Sequence, residues 1–433
     1  MGLGGGTFTT MNKTLSGAYI NYVSAAKAQA QLSERGTAAL PIVLNWGANE
    51  VVRVESADFE KDSITILGYP FDAPEMKPFR EFFKHGKTLL VYNLNNGAKA
   101  SSTISTAKYV GVRGNDIKHV VAKNVDDMDK FDVSTYIGSY LADKQTVATA
   151  ADLKDNDFVT FKADAELEVS AGLTFSGGTN GVVTGTEHQK ALDTLESYSF
   201  NTLGCMSKDE VTKGLYSSYT KRMRDEMGIK FQVVVYNLKA DYIGVINLKN
   251  KVNDTDTEEF ALIPWVIGAE AGCEVNKTCE NMTYDGEYNV NVPSKQSDLI
   301  KAIKAGEFVL HKNGEDVCVL SDINSFTSVS NEMNEDFQLN QVIRVLDEMA
   351  LQQAAIFNKK YLGKIQNVAS GRISYWNDCV DVCKELEKIN AIEEFDPKDV
   401  TVEKGKGKRD VILNTALMPA CAMSKLYSTI YVS

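Results

Sequence analysis

No stretch of this 433-residue chain approaches the ~18 consecutive apolar residues that a membrane helix needs, so a membrane partner is not expected. Nor does a basic segment followed by an apolar core open it, and no secretion signal is read there. Basic charge is in deficit. The formal net charge of −12 excludes the broad cationic stripe on which phosphate-binding proteins rely, so no nucleic-acid partner is expected. The four histidines, His85, His119, His188 and His311, show neither H-x3-H nor HExxH spacing. The seven cysteines are odd in number and widely spaced, which argues for reduced thiols in a cytoplasm rather than a disulfide framework.

Motifs for chemistry are missing as well. Cys379 and Cys383 lie one helical turn apart, but no further Cys or His is near in sequence, so they read as buried thiols on a helix face. No Gly-x-Ser-x-Gly elbow occurs. Gly2-Leu3-Gly4 lacks the third glycine of a dinucleotide fingerprint, since Thr7 stands there. Gly86-Lys87-Thr88 resembles the end of a phosphate loop, but Glu81 replaces the required glycine, and a helix precedes it where a strand should. No catalytic residue, metal or cofactor is expected.

What remains is an ordinary apolar and charged composition, enough for two to four domains. Residues 1–33 read as an arm with one isolated strand at Ala18, Tyr19, Ile20, Asn21, Tyr22 and Val23. Its unpaired edge invites a partner from another chain. Residues 34–94 read as a small α/β segment, with strands at ALPIVLNW, SITILGYP and TLLVYNLN and a helix over 74–84. Residues 95–182 read as an all-β insert, with strands at AKYVGV, KHVVAKN, STYIGSYL and FVTFKA and a glycine-rich exit at SGGTNG. Residues 183–292 alternate helix and strand and read as an open α/β domain.

Residues 293–433 form the last segment, with a short helix at 295–305 and a hairpin turning at Asn313-Gly314. The organising element follows. Leu339, Val342, Ile343, Leu346, Met349, Ala350 and Phe357 fall near one face of a 3.6-residue period, which predicts a helix of about twenty residues, ~30 Å long. Asn334, Glu335 and Asp336 are placed to cap it, Lys359 and Lys360 to close it, and Gly363 to break it. A second helix is expected over 374–390, then a hairpin through Gly405 and Gly407. The chain ends in a strand whose residues are Leu426, Tyr427, Ser428, Thr429, Ile430, Tyr431 and Val432. Two basic groups stand out in this acidic chain: Lys359, Lys360, Lys364 and Arg372, and Lys404, Lys406, Lys408 and Arg409 on the final hairpin. Each reads either as solvated charge or as a docking point for an acidic partner.

The run NQVIRVLDEMA…IFNKKYLGKIQN…GRISYWND resembles the C-terminal domain of contractile-tail sheath proteins, nearest to those of phages and R-type, diffocin-like particles of low-GC Gram-positive bacteria. The opening GGGTFTTMNKTLSGAYINYVSAA is similar to the same family's N-terminal arm. The resemblance implies an α+β multidomain fold: a C-terminal α/β sheath core completed by both arms, with an all-β insert and an open α/β insert. It implies a structural subunit, not an enzyme. Its partners would be copies of itself in stacked hexameric rings, the inner tail tube protein, and baseplate and tail terminator or collar proteins. Residues 18–23 and 426–432 would be exchanged between subunits, and Lys359, Lys360 and Lys364 would dock the tube. Assembly would take place in the host cytoplasm and the mature protein would sit in a virion tail or released particle. A static tube or shell protein, and a globular enzyme built on residues 186–291, are the competing readings.

Overall fold

The computed structural model describes residues 34–293 and 295–432; the arm strand at 18–23 lies outside them. The chain divides into two compact units. One comprises Ala39–Arg80 and Lys87–Tyr198; the other comprises the described residues up to Ala38, Glu81–Gly86 and the described residues from Ser199.

In the first unit, strand Val51–Glu55 pairs antiparallel with Thr88–Asn93, which is buried along its length. Helix Ser56–Leu67 follows directly and covers the SITILGYP stretch expected to be a strand. The β-branched residues there suggest a strand, but Phe59, Ser63 and Leu67 recur every fourth position and all are buried, which is a helix face. Gly68 then ends the helix at φ +82°, with Trp46 packed so closely that an added Cβ would lie 2.7 Å from its ring.

The β insert leaves and rejoins this unit through asparagines. Asn95 Nδ2 donates to Asn180 Oδ1 (2.7 Å), and Asn95 Oδ1 accepts from the backbone of Gly97 and Gly181. Beyond this neck runs a four-stranded antiparallel sheet in the order Tyr140–Val147, Phe131–Ile137, Ile117–Lys123, Ser170–Thr174. A separate pair joins Ser105–Ala107 to Val159–Phe161. STYIGSYL is not one strand: Ile137 pairs with Tyr140 across Gly138-Ser139, and Gly138 takes the φ of +59° that a two-residue hairpin needs. AKYVGV contributes only Ala107 to a strand, because a 3-10 turn at Val112–Asp116 follows Gly111 at φ +118°.

His119 sits fully buried in this insert, with Ser105 Oγ 2.6 Å from Nε2 and Thr135 Oγ1 3.2 Å from Nδ1. Burial lowers its pKa from 6.5 to about 4. Between those values the unfolded chain binds a proton that the folded chain refuses, so stability falls as pH drops from about 6.5 to about 4. The expected loss is about 3 kcal/mol. Urea unfolding of the wild type and of His119→Asn across that range checks this: the variant should lose the slope, whatever its absolute stability.

The second unit is built on a parallel sheet in the order Glu307–Phe308, Val245–Leu248, Gln232–Tyr236, Thr202–Cys205. Thr202–Cys205, four residues with a central glycine, carried no legible strand signal. Helix Glu210–Asp225 is capped by Asp209, whose carboxylate accepts from Thr212 N (2.7 Å). Helix Ile263–Gly272 is apolar on every side except for Glu270, as suits a helix buried all round. Gly268 has no room for a side chain, since its Cβ would lie 2.4 Å from the Phe82 carbonyl oxygen.

The organising helix runs Asn340–Ile356, continues as one π turn over Phe357–Tyr361 and stops before Gly363 at φ +70°. The predicted cap is wrong: Asn334, Glu335 and Asp336 belong to a separate 3-10 turn, and no side chain caps the helix at Leu339. The second helix begins earlier than expected, at Ala369, and ends at Lys388. Cys379 and Cys383 are buried with Val345, Tyr375 and Leu386 in the core between these helices. The hairpin Val400–Lys404 with Val411–Thr415 forms a two-stranded sheet of its own, and Trp376 Nε1 donates to the Val400 carbonyl.

Candidate functional site

The organising helix was expected to bury one apolar stripe. It buries its polar residues too: Asn340, Gln341, Arg344, Asp347, Glu348 and Gln353. A helix that sinks charged groups must satisfy each of them. Arg344 donates from Nη1 to Glu270 Oε2 and from Nη2 to Asp322 Oδ2, both at 2.6 Å, and also reaches the Lys277 carbonyl (2.8 Å). One turn on, Asp347 takes both guanidinium nitrogens of Arg224 at 2.7 Å. These two clusters join the helix to Ile263–Gly272 and to Glu210–Asp225.

The two carboxyls on Arg344 are not equivalent. Asp322 also accepts from Cys279 N, Thr278 Oγ1 and Asn340 Nδ2, all at 2.9 Å, and so holds its charge: burial opposes ionisation, but the Arg344 charge and these donors outweigh it. Glu270 meets Arg344, Asn340 at a longer distance (3.3 Å) and the Asp322 carboxylate, and burial followed by the Asp322 charge drives its pKa well up. The two carboxyls of the cluster are thus driven in opposite directions, Asp322 toward its charged form and Glu270 toward its protonated one. Donor atoms of Glu270, Cys279 and Asp322 lie within 4.8 Å of one another, a spacing a cation would tolerate. Arg344 already supplies the positive charge there. Nothing in the sequence spacing linked Glu270, Asp322 and Arg344; the only signal was charge set among apolar neighbours on one helix.

The C-terminal end is exposed. Residues 416–432 form no strand, although residues 426–432 were expected to be one. The chain is held as far as Ser424: Ala420 N donates to the Ala391 carbonyl (3.0 Å), Ala422 N to Gln341 Oε1 (3.1 Å) and Ser424 Oγ to Glu280. Beyond that, Leu426, Tyr427, Ile430, Tyr431 and Val432 are 85–93% exposed. Five large apolar side chains in water over seven residues are more exposed apolar surface than an ordinary chain segment carries.

Lys359, Lys360 and Lys364 do come together at the π turn and are exposed. They are not equally available. Lys360 Nζ lies 2.8 Å from Asp378, which also accepts from Tyr361 OH, and Lys364 Nζ donates to the Lys359 carbonyl (2.6 Å). Exposed Ile365, Val368 and Ile373 follow directly in the chain.

Comparison with known proteins places this architecture. Four family models match in succession: the tail sheath protein Gp18 domain III N-terminal region at residues 35–94, the phage tail sheath protein beta-sandwich domain at 95–180, its central domain at 181–325, and the phage tail sheath C-terminal domain at 332–433. The chain is 32% identical to the uncharacterized protein YqbK of Bacillus subtilis over 99% of its own length and 100% of that protein. Among solved structures, the sheath tail protein of Desulfitobacterium hafniense is 36% identical with a TM-score of 0.83, covering 95% of this chain and 99% of that one. The sheath tail protein Lin1278 of Listeria innocua is 34% identical with a TM-score of 0.79, covering 93% and 96%. The chain belongs to the phage tail sheath family and is a structural subunit of a contractile tail sheath.

Proposed function

We propose that the subunit polymerises as stacked hexameric rings around an inner tail tube, joined by strand exchange, and that the polymer contracts to drive the tube through a cell envelope. The observation that carries this is the segment 426–432, rich in strand-forming residues and exposed without a ladder. The hairpin Val400–Lys404 with Val411–Thr415 is its receptor on the next subunit, a two-stranded sheet onto which further strands can add. The arm strand at residues 18–23 adds to the same kind of edge. Main-chain ladders are indifferent to most side chains, so these joints hold while the subunits turn as rigid bodies. Contraction then relaxes an extended state, templated on the tube, into a denser packing once the baseplate lets go. New subunit contacts supply the energy, and no fuel, metal or cofactor enters. Assembly takes place in the host cytoplasm, and the sheath ends against baseplate and terminator or collar proteins. No helix among the described residues is long and apolar enough to cross a membrane.

The lysines of the π turn dock the tube in this account, with Lys359 and Lys364 the two not paired to a carboxylate in the bonds above. Reversing Lys360 would also break its pair with Asp378, so Lys359→Glu with Lys364→Glu is the cleaner test. The expected outcome is loss of extended sheath on tubes, with tube-free polymers still forming. Negative-stain microscopy reads both. Normal extended sheath would return these lysines to solvated helix-end charge.

A further inference from the structure

The first described residues and the C-terminal segment are each held to the body by their own set of bonds. At the N-terminal root, Arg35 Nε donates to the Cys273 carbonyl (2.8 Å) and Nη2 to the Glu270 carbonyl (3.0 Å). Those are carbonyls at the C-terminal end of helix Ile263–Gly272, where the helix leaves acceptors unfilled and where a cation is favoured. Gly36 N and Thr37 N both donate to Asn201 Oδ1 (3.1 Å), and Gly36 takes φ +122°, open to glycine. At the C-terminal root, Ala422 N donates to Gln341 Oε1, and Gln341 Nε2 donates to the Asn276 carbonyl (3.1 Å). Ser424 Oγ donates to Glu280.

Each root therefore has bonds that reach residues 270–280, directly through Arg35 and Ser424 and by way of Gln341, while Gly36 and Thr37 hold to Asn201. That segment is fixed from within: Arg344 holds the Glu270 carboxyl and the Lys277 carbonyl, and Asp322 holds Thr278 and Cys279. We propose that residues 270–280, locked by Arg344 and Asp322, are a single junction on which both arms are rooted. Tension arriving on one arm is shared with the other through this segment. Arg35 and Gln341 are then positioning residues, one for each arm. The proposal rests on the strand-exchange reading, which makes the arms the links between subunits.

Single-molecule pulling of the full-length chain tests it. Handles at the two chain ends load the junction; handles at Lys304 and Lys384 load the same unit along another path. Under equal force, Arg35→Ala and Gln341→Ala should each speed the first opening about tenfold or more when the ends are pulled, with the Lys304–Lys384 axis unchanged. Arg35→Lys should recover part of the loss, since it keeps a cation at the helix end. Wild-type opening rates from the ends would overturn the proposal. So would equal acceleration along both axes, which marks a general loss of stability. If Arg35→Ala does not fold, Gln341→Ala reads the other root. The linkage itself is judged separately: a chain lacking residues 1–33 that still polymerises would remove the strand-exchange reading and leave the force result standing.

Discussion

A chain ending at Lys425 is expected to fold, to unfold at the wild-type temperature, and to remain a soluble subunit under conditions where the full-length protein forms sheath. The last described contact of the C-terminal segment with its own body is at Ser424. The five apolar residues beyond it are 85–93% exposed, so removing them takes nothing from the core. On a neighbour the same side chains become half or wholly buried, each contributing on the order of 1.5–3 kcal/mol when fully buried. With the ladder lost as well, each joint forfeits several kcal/mol, and a polymer multiplies that loss over every subunit. Sedimentation and negative-stain microscopy read assembly; thermal unfolding reads the fold. Full-length filaments from the shortened chain would place the linkage elsewhere. A lower unfolding temperature would assign the segment to the subunit's own core.

The largest effect on stability is expected in the buried cluster. Arg344→Ala leaves the Asp322 carboxylate buried without its main counter-charge and should cost about 3–5 kcal/mol. Asp322→Asn should also be costly, because Arg344 loses its carboxylate partner and Cys279 N and Thr278 Oγ1 lose a charged acceptor. Glu270→Gln should cost less, since the amide resembles the protonated acid toward which burial drives this carboxyl. The pH dependence follows with a definite sign. Glu270 holds its proton more tightly when folded than when unfolded, so its contribution is whole below about pH 4.3 and declines as pH rises above that. Glu270→Gln should flatten the fall. Chemical denaturation of the three variants over pH 4–8 measures both effects. Equal costs for Glu270→Gln and Asp322→Asn would contradict the assignment of the proton.

How far the sequence disclosed this fold depends on the scale of the signal. Long periodic stretches were legible: the helices around Glu210–Asp225 and Asn340–Ile356, and the hairpins turning at Gly314 and through Gly405. Local signals misled where tertiary packing overrode them. Ile64, Thr65 and Ile66 favour strand but lie in a helix whose buried face repeats every fourth residue. Asn334, Glu335 and Asp336 were good caps for a helix that starts several residues later. Thr202–Cys205 was too short to declare itself before its parallel partner Gln232–Tyr236 was placed.

The site was legible only in part. Residues 426–432 read as a strand, which the structure does not form, and their exchange between subunits was implied only by the family resemblance. The lysines of the π turn were found as a cluster, but their bonds to Asp378 and to the Lys359 carbonyl depend on the fold. The Glu270, Asp322 and Arg344 cluster was invisible, because its members are separated by dozens of residues and meet only when two helices and a loop pack. Long-range charge pairing leaves no period in a sequence.

The central claim is that residues 426–432 add to the hairpin of a neighbouring subunit. Cysteine cross-linking in assembled sheath tests it most directly. Cys421 is exposed and must first become serine. In that background, Ile430→Cys is paired with a cysteine at Thr401 or at Asn414, both exposed on the two strands of the hairpin. Mild oxidation of sheath, but not of dilute subunits, should then give a ladder of covalent multimers on a non-reducing gel from one of the two pairs. Monomer alone from both pairs, in sheath that is fully assembled by microscopy, would contradict it.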